Sequence, residues 1–182
     1  VINMYQMFNN TDAFNQPLNN WDVSNVTNMS QMFRQNDGFN QTLNSWDTSS
    51  LTNISSIFAN NTIYNQSINN WNISKITNMS NAFSNASAFN QNLGVWDISN
   101  VSNMTNMLSN SNISQENYDN TLIAWSGLTV KTGINLGATN LQYCDALSQR
   151  QNLIDNPGWT ITGDAVNCSY VLCTEITMPH AI

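Results

Sequence analysis

The chain has 182 residues, of which 41% are apolar and only 8% charged, with a net charge of −7. Its only cations, Arg34, Lys75, Lys131 and Arg150, are too few and too scattered to displace phosphate counterions. That argues against nucleic acid as a partner and disfavours anionic membrane surfaces, and with no run of 18 apolar residues no segment reads as a bilayer-crossing helix.

From Val1 to about residue 111 the sequence repeats with a period of 25. Leu18–Phe33 (LNNWDVSNVTNMSQMF) recurs from Leu43, Ile68 and Leu93, and Trp21, Trp46, Trp71 and Trp96 are 25 residues apart. A fixed period in this range means stacked units that bury a shared core. The polar surface of such a stack is here amide and hydroxyl rather than charge, since the chain holds thirty-five asparagines. Val1-Ile2-Asn3-Met4 aligns with Val26-Thr27-Asn28-Met29, so the array opens in mid-pattern and more repeats or a cap are expected upstream.

Each copy divides in two. Leu18, Trp21, Val23 and Val26 have an LxxLxL-like spacing, with polar Asp22 between Trp21 and Val23, which predicts a short half-buried strand. Met29, Met32 and Phe33 lie at i, i+3 and i+4, one stripe of a short helix. The same stripe recurs as Met4/Met7/Phe8, Ile54/Ile57/Phe58, Met79/Ala82/Phe83 and Met104/Met107/Leu108. Asn3, Asn28, Asn53, Asn78 and Asn103 precede these stripes as candidate N-caps, with Gln6 and Gln31 placed for a loose capping box. An aromatic-Asn-Gln triplet follows each stripe, as in Phe14-Asn15-Gln16 and Tyr64-Asn65-Gln66. Its amides, stacked about 4.8 Å apart, predict a ladder between coils; a polar sugar groove is the competing reading. The tryptophan and Phe8/Phe33/Phe58/Phe83 columns read as core.

Beyond the array, Ser114–Trp125 reads as a capped helix with Tyr118, Leu122 and Trp125 on one face and Gly127 as its stop. Leu128–Leu136 alternates like a strand, Tyr143–Ile154 reads as helix, and Trp159–Val166, with its Gly163-Asp164 turn, reads as a hairpin. Residues 112–170 are thus expected to form an α+β C-terminal cap, and 171–182 the start of a further module or a linker. All three cysteines, Cys144, Cys168 and Cys173, lie in this last part. An irregular cap gains from a covalent tie, which predicts a Cys144–Cys168 disulfide; Cys168–Cys173 and three free thiols are the competing readings.

Catalytic residues are not legible. The only histidine, His180, stands two residues from the end, and no GxGxxG or Walker-type loop is present. No cofactor is implied. The column Asp22, Asp47, Asn72 and Asp97 is the candidate metal site, because its carboxylates, Asp22, Asp47 and Asp97, would stack at coil spacing. Asn72 breaks the charge, however, and each member stands two residues before Ser24, Ser49, Ser74 or Ser99. The column therefore reads first as Asx-turn acceptors, and these eight residues as the candidate binding face.

The repeat, WDxSNxTNMxxMF followed by FNQxLxxW, closely resembles that of BspA-like leucine-rich-repeat surface proteins, also noted in mycoplasma lipoproteins. The resemblance covers about residues 1–110. Thr48, Asn72 and Ala82 depart from it. Ser114–Tyr170 is similar to the tail that closes such arrays, and LCTEIT from Leu172 is similar to the first strand of an immunoglobulin-like module. The resemblance implies an α/β right-handed solenoid, secreted or on the outer face of a bacterial cell, without catalytic residues. It implies adhesion or binding to a host, matrix or cell-surface protein. The alternative is a passive spacer or targeting segment of a larger secreted protein, with an enzyme elsewhere in the chain.

Overall fold

The computed structural model describes residues 1–168. Successive 25-residue copies lie side by side. Single-residue parallel bridges link Asn3 to Asn28, Asn28 to Asn53, Asn53 to Asn78 and Asn78 to Asn103. Alternate N–H groups of one copy donate to the next: Met29, Gln31, Phe33 and Gln35 to the carbonyls of Asn53, Ser55, Ile57 and Ala59, at 2.9–3.0 Å. The intervening N–H groups of Met32 and Arg34 close turns onto Met29 and Gln31.

This accounting corrects the expected helix. An α-helix needs each N–H directed along its own axis to i−4. Here half of them are committed to the neighbouring coil, and the stripe Asn28–Gln35 runs through consecutive turns. Every fourth residue is left-handed, Gln31 at φ 58° and Gln35 at 52°, and the pattern repeats at Ser56/Asn60, Asn81/Asn85 and Asn106/Asn110. Gln6 and Gln31 accordingly form no capping box; instead the Gln6 side-chain amide donates to that of Gln31 at 2.9 Å. Asn28 Oδ1 does accept from the N–H of Ser30 at 2.9 Å, and Asn53, Asn78 and Asn103 repeat the bond. The expected strand over Trp21–Val23 is likewise absent, and the bridging residue is the asparagine five positions after Val23.

The core is a double column of aromatic rings. Phe8, Phe33, Phe58 and Phe83 stack at 5.4–6.0 Å between centroids, and Phe14, Phe39 and Tyr64 run beside them at 6.0–6.1 Å. Within a coil the two columns touch at about 4 Å, as in Phe33–Phe39 at 4.1 Å. The coil-to-coil spacings of 5.4–6.1 Å lie in the favourable range for aromatic pairs. Phe8, in the first copy, is only half-buried.

A third column is made by the tryptophans. Trp46, Trp71 and Trp96 are 1–3% exposed, and each indole N–H donates to a carbonyl 28 residues earlier, of Leu18, Leu43 and Ile68. Trp21, in the first copy of the sequence, is 39% exposed, against the expectation of a fully buried column.

Tyr64 departs from the phenylalanines of its own column. Its ring is fully buried, its hydroxyl has no partner, and burial pushes its ionisation far above the ordinary range. A buried unsatisfied polar group carries a desolvation cost of about 1–3 kcal/mol. Tyr64→Phe, restoring the residue found at Phe39 and Phe89, is expected to stabilise the protein by about 1 kcal/mol. Thermal melts check this; a lower melting temperature would mean that the hydroxyl does have a partner.

All helices and named strands of the described residues follow the array: α1 Gln115–Ser126, β1 Asn135–Gly137, β2 Gln142–Tyr143, α2 Leu147–Asp155, β3 Thr160–Thr162 and β4 Ala165–Val166. Ser114 caps α1, accepting from the N–H of Asn117 at 3.3 Å. Trp125 of α1 donates to Leu93 O at 3.2 Å, so the helix extends the tryptophan column. A side chain at Gly94 would meet Ala124 Cβ at 2.9 Å, so α1 can lie this close only over a glycine.

The predicted hairpin at Trp159–Val166 does not form. β3 pairs in parallel with β1, Leu136 opposite Ile161, and β4 pairs in parallel with β2. The 25-residue spacing of the β1–β3 pair and the bridge from Met104 to Leu136 continue the coil-to-coil bonding of the array. Of the segment Leu128–Leu136 expected to be strand, only Asn135 and Leu136 are.

Two polar ties hold this region. Asp119 of α1 is buried, and its carboxylate accepts from the N–H groups of Cys144, Asp145 and Ala146 at 3.0–3.2 Å. It thus caps α2, whose own N-cap, Ala146, offers no side-chain acceptor. The second tie is a disulfide between Cys144 and Cys168, Cα atoms 5.1 Å apart, closing a separation of 24 residues. Replacing both cysteines with serine is expected to cost about 3 kcal/mol on the chain-entropy model. Denaturant melts of the oxidised wild type and the double variant measure it, and equal midpoints would refute it. The expected module at 171–182, with Cys173 and His180, lies outside the described residues.

Candidate functional site

The candidate binding face is a row of four Asx–Ser pairs, one per coil. Asp22 Oδ1 accepts from Ser24 N–H at 3.1 Å and from its hydroxyl at 2.6 Å. Asn72 does the same with Ser74, at 3.1 and 2.7 Å. Asp97 accepts from both groups of Ser99, and Asp47 from the N–H of Ser49 at 3.0 Å. Each pair is an Asx-turn that reverses the chain after the tryptophan. The acidic or amide side chain is exposed and the serine half-buried in every copy.

These bonds hold Asp22, Asp47 and Asp97 below the ordinary carboxylate range, the serine hydroxyl first and the serine N–H second. All three are therefore charged at neutral pH. Asn72 makes the same bonds without a charge, so the shared role is that of acceptor rather than of ion.

Among the described residues no group of three or more His, Cys, Asp or Glu gathers as a metal centre would require. Calcium wants six to eight oxygen ligands, and one carboxylate per coil falls short of that. Addition of a chelator is expected to leave the melting temperature unchanged. A drop of several degrees would mean that the column of Asp22, Asp47 and Asp97 holds a cation.

The aromatic-Asn-Gln triplets lie elsewhere on each coil. Asn15 Oδ1 accepts from Asn40 N–H at 3.1 Å and from the Gln41 amide at 3.0 Å; Asn40 and Asn65 repeat this with the next coil. The last rung, Asn90, accepts from Ser114 N–H and the Asn117 amide at 2.8 Å, so the ladder ends on the first turn of α1. These amides bond from coil to coil, as the ladder reading expects.

A second ladder was not anticipated. Asn60, Asn85, Asn110 and Asn140, all left-handed, link amide to amide from one to the next. Its sequence signal is an asparagine two residues after the stripes that end at Phe58, Phe83 and Leu108, a residue type that tolerates positive φ.

No described helix is long and apolar enough to cross a membrane. A family model described as "Mycoplasma protein of unknown function, DUF285" matches residues 2–121. No curated protein and no solved structure matches the chain. The matched span takes in every copy of the repeat and most of α1, and on that span the chain belongs to this mycoplasma family.

Proposed function

We propose that the stacked copies form a right-handed, leucine-rich-repeat-like solenoid, with turns in place of the expected helix. In this reading it is a non-enzymatic binding or adhesion module of a secreted or cell-surface bacterial protein, acting through protein–protein contacts. The observation that carries the reading is the exposed row from Asp22–Ser24 to Asp97–Ser99, held by the same Asx-turn in every coil. Side chains already fixed by their own backbone lose little entropy on binding. Charge at three of the four positions suits a partner with a basic surface. The Cys144–Cys168 disulfide suits an oxidising exterior.

Surface plasmon resonance against immobilised host matrix and cell-surface proteins tests this. Binding weakened about tenfold by the triple change Asp22→Ala, Asp47→Ala and Asp97→Ala is the expected result. Unchanged affinity would move the site off this face. A chain that binds none of them is better read as a rigid spacer, a role that the uniform coil-to-coil bonding also serves.

A further inference from the structure

A cleft of about 330 Å³ opens between the loop after α1 and the C-terminal end of α2, and its lining holds none of the Asx–Ser residues. Such a volume lies at the small end for small-molecule sites, about 300–1,000 Å³. Its walls are tied together. Gly133 N–H donates to Pro157 O at 2.8 Å, and the Trp159 indole donates to Lys131 O at 2.9 Å. The Trp159 backbone N–H also donates to Leu153 O at 3.0 Å, so the loop and the helix exit are fixed to the same residue. The cleft is therefore pre-formed, and a ligand need not order it.

The nine residues that line it include no ionisable side chain. A phosphate, carboxylate or metal ion entering it would lose hydration with no counter-charge in return. The apolar part, Val130 with buried Leu153, offers a face for C–H groups. Around it stand the exposed Thr129 and Thr132, whose hydroxyls bond to nothing among the described residues, and Asn152. The side-chain carbonyl of exposed Asn152 takes a bond from the Asn156 side-chain amide, which leaves the Asn152 amide N–H groups as donors. Two hydroxyls that both donate and accept, with an added amide donor over an apolar floor, match a ring whose hydroxyls do the same.

We propose that this cleft is a subsite for one neutral sugar ring. No aromatic side chain lines it, so affinity rests on the apolar floor and a few neutral hydrogen bonds, and dissociation constants in the millimolar range are expected.

Titrating the ¹⁵N-labelled full chain with the methyl glycosides of glucose, galactose and N-acetylglucosamine tests it by NMR. The amides of 128–133 and 152–157 should shift with at least one of the three. Thr129→Val and Thr132→Val, which keep the shape of exposed side chains, should each weaken that sugar about fivefold, the loss of one neutral hydrogen bond. The proposal is overturned if no sugar moves these amides, if both valine variants bind as tightly as wild type, or if isopropanol alone saturates them while the sugars do not. None of these readouts depends on the Asx–Ser row, so failure of either site is distinguishable from failure of the other.

Discussion

Trp71→Ala is expected to destabilise the protein by about 3–5 kcal/mol, as large-to-small changes in a packed core do. Trp71 is 3% exposed, stacks on Trp46 at 6.2 Å and donates to Leu43 O at 3.2 Å. Alanine would leave a cavity in the middle of the column and strip a buried carbonyl of its donor. For a chain of this size that corresponds to a fall in melting temperature of about 6–20 °C. Trp21→Ala is the internal control, because Trp21 is 39% exposed and should cost clearly less. Equal falls for the two variants would show that stacking between coils is not what holds the array. A fall below about 3 °C at Trp71 would remove the column from the core altogether.

The second large effect is expected in the C-terminal region. Asp164 accepts two bonds from Arg150, from Nε and Nη2, both at 2.7 Å, and a third from the Tyr118 hydroxyl at 3.0 Å. The Asp164 side chain is 1% accessible and that of Arg150 15%. The Arg150 guanidinium also lies 4.8 Å over the ring of Tyr143. The bond to Asp164 raises the pKa of Arg150, while burial first and Asp164 second push Tyr118 well above the ordinary phenol range. Both neighbours therefore stay protonated, and Asp164 is their common acceptor.

Asp164→Ala would leave the guanidinium inside the fold with no counter-charge, at a cost of about 3–5 kcal/mol. Arg150→Met with Asp164→Leu should cost much less, because apolar replacement of both partners removes the desolvation penalty as well. Urea midpoints of the single and double variants measure this. A double variant as damaged as Asp164→Ala would mean that the pair matters through packing and not through charge.

The 25-residue period, the aromatic columns and the ladder at Asn15, Asn40 and Asn65 were legible because they are properties of spacing. A side chain that recurs at fixed intervals in stacked units must meet its own copy. The capped helix at 115–126 was legible for a local reason, since Ser114 and the apolar stripe Tyr118/Leu122/Trp125 act within a few turns. The Asx-turns of the candidate face were legible in the same way, two residues apart in the chain. The covalent tie followed from where the cysteines cluster, and the structure holds it between Cys144 and Cys168.

What the tertiary structure decided is where the backbone N–H groups go. Met29/Met32/Phe33 fits a helical stripe, and a run of turns with one left-handed residue in four buries the same side chains. The choice rests on hydrogen bonds to a coil 24 residues away, which no local pattern carries. Gln31 and Ser56 do not announce a positive φ by residue type, whereas Asn60, Asn85 and Asn110 do. The same non-local competition overruled the hairpin: Gly163-Asp164 reads as a turn between two strands, yet Ile161 had a ready partner in Leu136, one period upstream. Sequence periodicity determines which residues become neighbours. The conformation that joins them is set by the free energy of satisfying every buried backbone group at once, and that quantity exists only in the assembled stack.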